Sequence, residues 1–292
     1  MSYTLHDLTY RTAREMGIVF ESAATGGSTT TIVDTVMLTQ ADDYWNQGVA
    51  WILYDAGGAA AAPQGEYKVI SDFANTGDTI TLASAVSAAV AAGDRYAVCR
   101  NQGSFGWLGI LIQKVNQALQ DIGPVPAVDT SLTTAANQTE YTIPIAVKGQ
   151  LLRVEIQTNV DTDDNQYHTV SFTVKPTSTA GSTDTLVLDN QPASGYTLKL
   201  TYLAVHPELA IYSDKMSEYI PIERVIFAAA RDSWRHLRDW TGLGTWDDKI
   251  QELSDKAERA KLDYPIRRPY RQQRVHGLGD FVRKYPGDRT PR

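Results

Sequence analysis

The chain has 292 residues, 42 % of them apolar, and carries 34 Asp and Glu against 27 Lys and Arg, a net charge of −7. That length predicts about two domains with ordinary cores, and the negative balance argues against wholesale wrapping of nucleic acid. The lone cysteine, Cys99, excludes an internal disulfide or a thiolate metal cluster within one chain, and with no run near ~20 apolar residues and no apolar leader, neither a membrane span nor a cleaved signal is predicted.

Thr4 is placed to cap a first helix, with Asp7 as its capping-box partner, Leu5, Leu8, Thr12 and Met16 on one face, and Gly17 as the stop. From Ile18 to Arg100 the pattern changes to short β-favouring runs such as Thr30-Thr31-Ile32-Val33, Val49-Ala50-Trp51-Ile52-Leu53-Tyr54 and Tyr96-Ala97-Val98-Cys99. Turn signals at Gly26-Gly27, Gly57-Gly58, Asn75-Thr76-Gly77-Asp78 and Gly93-Asp94 separate these runs. The segment therefore reads as an all-β module of about five or six strands, a small barrel or sandwich. Ser104 is the expected N-cap of a second helix, Phe105 to about Gln120, with Trp107, Leu108, Leu111, Ile112, Val115 and Leu119 as its apolar stripe and Gly123-Pro124 ending it. From Tyr141 to about Leu209, alternation in Leu152-Arg153-Val154-Glu155-Ile156 and Val170-Ser171-Phe172-Thr173-Val174 predicts half-buried antiparallel strands of a sandwich.

The next zone is helical. Pro221 stands at the expected first helical position, and Ile222, Ile226, Ala229, Ser233, Leu237 and Trp240 recur every three or four residues. After Gly242 and Gly244 a second helix is predicted from about Trp246 to Leu262, and the two form a hairpin beside the sandwich. Ile226, Leu237, Trp240, Trp246, Ile250 and Leu253 exceed what two helices can cover for themselves, so they are the expected packing or assembly surface. Arg224, Arg231, Arg235 and Arg238 fall largely along one helical face with Asp232 and Asp239 on the other side, a solvated face or else an intersubunit or tail-docking surface.

The last stretch, Tyr264 to Arg292, holds eight Lys and Arg and two Asp, so a tail of net +6 follows a body of net −13. Pro265, Pro269, Pro286 and Pro291 oppose a continuous helix or strand. Fully extended, the arm would reach roughly 95 Å at about 3.3 Å per residue. Arg267, Arg268, Arg271 and Arg274 suit bidentate pairing with carboxylates of another subunit, with phosphate backbone as the rival partner. The expected architecture is α+β in four segments: 1–122 (helix, β module, linking helix), 123–212 (β-sandwich), 213–263 (helical hairpin) and 264–292 (extended basic arm).

Motifs for chemistry are missing. Gly103-Ser104-Phe105-Gly106 has the wrong spacing for a nucleophile elbow, and no phosphate-cradling loop, dinucleotide fingerprint or His-Glu-x-x-His occurs. His6, His168, His206, His236 and His276 are scattered, without metal-ligand spacing. Asp161, Asp163 and Asn165 alternate like the opening of a calcium loop, but Gln166 replaces its glycine and Phe172 its late Glu. Asp42-Asp43 and Asp247-Asp248 read as caps. The expectation is a non-enzyme with no metal and no cofactor.

Several phrases resemble virion proteins of tailed bacteriophages: Ala24-Thr25-Gly26-Gly27-Ser28-Thr29-Thr30-Thr31-Ile32-Val33-Asp34-Thr35, Asp42-Asp43-Tyr44-Trp45-Asn46-Gln47-Gly48, Ala91-Ala92-Gly93-Asp94-Arg95-Tyr96, and Tyr196-Thr197-Leu198-Lys199-Leu200 running to His206-Pro207-Glu208-Leu209. The resemblance implies a head-to-tail adaptor, a neck or connector component assembled in the host cytoplasm into the virion. It also implies self-association into a ring, a dodecamer being the expected size, between portal protein and tail or nozzle proteins. In that family a helical portion and a C-terminal segment typically dock on the portal. No membrane and no sequence-specific nucleic acid enter this expectation. The alternative is a tail or capsid-decoration protein whose β-sandwich binds host glycan through residues such as Trp45, Trp51 or Tyr167.

Overall fold

A computed structural model describes residues 3–58, 60–101, 106–144, 147, 151–157, 167–176, 183–241 and 246–266. The fold is α+β: four helices accompany antiparallel sheets of seven, four and three strands among the described residues. Two units divide the chain, one made of 1–125 with 205–267 and the other of 126–204 with 268–292.

The first unit opens with α1 (Leu5–Met16), whose ends are fixed by local chemistry. Asp7 N donates to Thr4 Oγ1 at 3.3 Å while Thr4 N donates to Asp7 Oδ2 at 2.9 Å, and Gly17 at φ +75 takes the left-handed position that a side chain would oppose. Seven strands follow: β1 (Val19–Ala23), β2 (Gly26–Gly27), β3 (Thr31–Val33), β4 (Val49–Tyr54), β5 (Tyr67–Ala74), β6 (Thr79–Leu82) and β7 (Arg95–Cys99), in the sheet order β1-β7-β4-β5-β6-β3-β2. β5 carries a register shift between Ile70 and Asp72. Its first residues pair with β4 and its later ones with β6, so the two halves of the sheet share one core of Ile32, Ala50, Ile52, Ile70, Phe73, Ile80, Tyr96 and Val98.

The opposite face of β4 and β7 is also covered. Val49, Trp51, Ala97 and Cys99 point into a second core built with the helices, so the unbroken apolar run Val49-Ala50-Trp51-Ile52 reflects burial on both sides. The helices are α1, α2 (Trp107–Asp121), α3 (Ile222–Thr241) and α4 (Asp247–Asp263). α2 starts behind Gly106, two residues later than the sequence suggests, and the expected Ser104 cap lies outside the described residues. The hairpin α3–α4 is therefore no separate domain beside the sandwich. Its apolar face packs on α1, α2 and the first sheet, because helical periodicity gives the width of a face but not its partner.

Returning chain pins this arrangement. Leu5 N and His6 N, among the free amides that start α1, donate to Asp214 O (2.8 Å) and Tyr212 O (3.1 Å). The Asn116 amide on α2 exchanges two 2.9 Å hydrogen bonds with the Leu209 backbone. His206 accepts from Ser217 N at Nε2 (2.9 Å), which leaves Nδ1–H to donate to Pro207 O (2.7 Å), a neutral, structural imidazole.

The second unit is sandwich-like. Its strands are β8 (Val125–Thr133), β9 (Glu140–Thr142), β10 (Leu151–Gln157), β11 (Tyr167–Thr169), β12 (Phe172–Lys175), β13 (Thr185–Leu188) and β14 (Thr197–Ala204). They form sheets ordered β11-β10-β14-β8 and β12-β13-β9 around a core that includes Tyr141, Val154, Ile156, Phe172, Leu186, Leu198 and Leu200. The run Val170 to Val174, read as one strand, is split between sheets: Val170 follows β11, and Phe172 begins β12. On the outer face of β10, buried Glu155 is held by Arg153 at 3.2 Å and Lys199 at 3.6 Å, the pairing that a buried carboxylate requires.

Candidate functional site

The sequence places its main candidate surface on the hairpin. Four of its six residues, Ile226, Leu237, Ile250 and Leu253, are buried in the helical core of their own unit. Trp246, at the N-cap of α4, is partly buried. Only Trp240 stays substantially open, 48 % exposed at the end of α3. The dominant aromatic of α3 is instead Trp234, which lies outside the stripe of Ile222, Ile226, Ala229, Ser233, Leu237 and Trp240. Its ring lies 4.5 Å from that of Trp246 at an interplanar 22°, and 6.3 Å from that of Trp107 at 76°, joining α2, α3 and α4. The clue was a competing stripe, Ala230, Trp234 and Leu237, beside the one built on Ala229, Ser233 and Trp240. Ala229 and Ala230 are fully buried, and the buried Trp lies one turn on.

Three of the four arginines of α3 are engaged by carboxylates of their own subunit. Arg231 makes a two-pronged contact with Asp232, Nε to Oδ1 at 2.7 Å and Nη2 to Oδ2 at 2.8 Å, and Arg235 reaches the same carboxylate at 3.4 Å. The hydrogen bonds that Arg231 donates to Asp232 outweigh the opposing desolvation and raise the Arg231 pKa. Arg238 bridges Asp239 at 3.0 Å and Asp247 at 3.1 Å, tying the end of α3 to the start of α4. Long guanidinium side chains thus reach around the helix to carboxylates placed on the other side by simple periodicity, and much of this face is neutralised within the subunit. The exposed pairs of Arg238 contribute only ~0–1 kcal/mol each.

Arg267, Arg268, Arg271 and Arg274 lie outside the described residues, as do Asp161, Asp163, Asn165 and His276. The arm begins later than its composition suggests. Tyr264 N donates to Ala260 O at 3.1 Å and Ile266 packs against the helical core, so residues up to 266 belong to the folded unit. Asp247 and Asp248 sit in the first turn of α4, where the helix dipole favours them. Asp42 and Asp43 serve loop geometry, accepting from Asn75 N (2.6 Å) and the Asn46 amide (2.7 Å). Trp45 and Trp51 are buried, Trp51 completely, which removes both from any glycan-binding surface; Tyr167 carries Lys199 over its ring at 4.9 Å.

Two of the concavities among the described residues lie on the first unit. One, of about 680 Å³, is lined by Tyr44, Arg100, Trp234, Trp246, Asp248 and Glu252, among others. Its cations and carboxylates balance, and Arg100 already covers the Tyr44 ring at 4.6 Å. The other, of about 550 Å³, lies between α1 and the β1, β4 and β7 strands. Among the described residues no three His, Cys, Asp or Glu converge as metal ligands, and no helix is long and apolar enough to cross a membrane. Burial pushes the Cys99 thiol up to about 12, so it is not a thiolate near neutrality. No family model matches the chain, and comparison with curated proteins gives no match.

Proposed function

We propose that this chain is a ring-forming structural subunit at the head-to-tail junction of a tailed-phage virion, contacting portal protein on one side and tail proteins on the other. The observation that carries this reading is a charge reversal at the end of one helix. α4 closes an acidic body, its last turn leaves Leu262 81 % and Tyr264 45 % exposed, and the chain then runs into a segment whose eight Lys and Arg face only two Asp. A basic segment joined to such a body is suited to an acidic groove on a neighbouring molecule. The phrases around Gly26, Asp42, Gly93 and His206 that resemble tailed-phage virion proteins are what suggest a virion setting. A ring repeats one heterologous interface until it closes, and Trp240, exposed at the hairpin end, is a candidate contact for it.

The test is native mass spectrometry and sedimentation of the full chain, alone and with a purified portal ring. A closed homo-oligomer, or its formation on the portal ring, is the expected result. A chain that stays monomeric and passes over the portal without binding refutes the proposal.

A further inference from the structure

The 550 Å³ concavity between α1 and the β1, β4 and β7 strands is lined by charged side chains from α1, β1 and β7. Arg11, Arg14 and Arg95 line it, contributed by α1 and β7. Arg14 and Arg95 share one carboxylate, Glu21, at 3.6 and 3.5 Å. Those separations are well beyond the ~2.7–2.9 Å of a closed charge-assisted hydrogen bond. Glu21 also accepts from Tyr10 Oη at 2.7 Å. Among the described residues Arg11 has no carboxylate partner, and it rests over the Tyr3 ring at 5.2 Å. The second carboxylate of the lining, Asp7, is engaged by the Thr4 cap. Its burial would raise its pKa, but interactions with His6 and Thr4 outweigh this and hold it down at about 2.

His6 supplies the independent sign of a ligand. It lines the same concavity and is 3 % exposed, yet neither ring nitrogen has a hydrogen-bond partner among the described residues. Asp7 Oδ1 stands 3.6 Å from Nδ1, outside hydrogen-bond length. A buried imidazole left unsatisfied carries a desolvation cost that an occupant of the cavity could offset. Three guanidinium forks, a tyrosine hydroxyl at Tyr54 and an imidazole without a hydrogen-bond partner among the described residues therefore surround a space in which three guanidiniums face two carboxylates, within an acidic body.

We propose that this concavity binds a phosphate-class oxyanion, either inorganic phosphate or the phosphate group of a small monoester. Guanidinium forks match the tetrahedral oxygens, and His6 provides a donor or acceptor at the buried end. The ligand competes with Glu21 for Arg14 and Arg95. The inference is independent of the virion reading, since it rests on this cavity alone.

The test uses the full chain, with histidine-ring NMR and thermal unfolding during titration with sodium phosphate or glycerol phosphate, against sodium chloride at matched ionic strength. His6 ring signals should move saturably, and the melting temperature should rise with phosphate but not chloride. An Arg11→Gln, Arg95→Gln double variant should weaken binding by about tenfold or more, as expected for lost charge-assisted contacts. Both side chains are solvent-accessible, and the double variant's unliganded melting curve reports its folding directly. Glu21→Gln should tighten binding by removing the competitor. Preference for glycerol phosphate identifies a monoester site, and preference for the inorganic ion a free-phosphate site. A non-saturable response, unmoved His6 signals, or equal affinity in the double variant overturns the proposal.

Discussion

Trp234 and Trp240 lie on one helix, less than two turns apart, and should behave very differently when cut to alanine. Trp234 is 4 % exposed and contacts both Trp246 and Trp107. Removing a buried Trp costs about 3–5 kcal/mol through lost transfer energy and the residual cavity. Losing two aromatic pairs adds ~0.5–1.5 kcal/mol each where they go beyond simple burial, so Trp234→Ala should sit at or above the upper end of that range. Trp240 is 48 % exposed. About half of a ~200 Å² side chain at about 25 cal/mol per Å² gives ~2.5 kcal/mol, and the methyl that alanine retains lowers the expected cost to about 1–2 kcal/mol. This replaces the ~3–5 kcal/mol that a core position would imply. Urea unfolding followed by far-UV circular dichroism measures both, and sedimentation of the folded Trp240 variant tests its part in assembly. Equal costs for the two variants, or a larger one for Trp240→Ala, would mean that this account of the α3 face is wrong. Unchanged association of Trp240→Ala would remove that ring from the proposed interface.

A chain ending at Ile266 should keep its thermal transition, because Tyr264 and Ile266 still complete the helical unit, while losing attachment to a portal ring; a truncated chain that binds the ring as well as the intact one removes the role given to the basic segment. Asp34 is fully buried and accepts from Ser22 Oγ (2.6 Å), Tyr96 Oη (2.8 Å) and the amides of Val36 and Met37. Asp34→Ala leaves these donors stranded and should cost about 2–4 kcal/mol by chemical denaturation. Burial opposes ionisation of Asp34, but its hydrogen bonds from Ser22, Tyr96 and the two amides prevail and lower its pKa below 3.8. A depressed folded-state value gives stability that is complete above the unfolded pKa and is lost as pH falls. With Asp7 held at about 2, the first unit should therefore weaken progressively from near pH 4 towards pH 2, and a flat acid profile in circular dichroism would contradict this. Cys99, 0 % exposed with its thiol pushed up to about 12, should resist alkylation in the native protein and react on unfolding, as mass spectrometry of iodoacetamide-treated samples can show.

What could be read from the chain was local. The Thr4–Asp7 box, the Leu5, Leu8, Thr12 and Met16 stripe and the Gly17 stop all act within a few residues, so α1 emerged with both ends correct. The strands near Val49 and Tyr96 were equally plain, yet their two-sided burial was not, because an unbroken apolar run does not say what lies on either face. The hairpin shows the same limit. Its stripe width was legible, but its partner depended on residues 212–216 returning to residues 3–6, a contact across two hundred residues. Choosing Trp240 over Trp234 followed from reading one stripe where two overlap, and only the packing of Trp107 and Trp246 separates them.

The phosphate-class cavity marks the far end of that scale. His6 looks like one of five scattered histidines, and Arg95 stands out only as part of the phrase Ala91 to Tyr96. The antiparallel pairing of β1 with β7 sets Ala23 opposite Arg95, and α1 lies over the same strands, which gathers Arg11, Arg14, Glu21 and Arg95 around one opening. No spacing along the chain encodes a group assembled from positions 6, 11, 21 and 95. Local rules placed each element, and the charge surplus appeared only when the sheet brought them together. A polar site of this kind can be inferred only from structure, since its signal is the unmet hydrogen-bonding capacity of His6 rather than any motif.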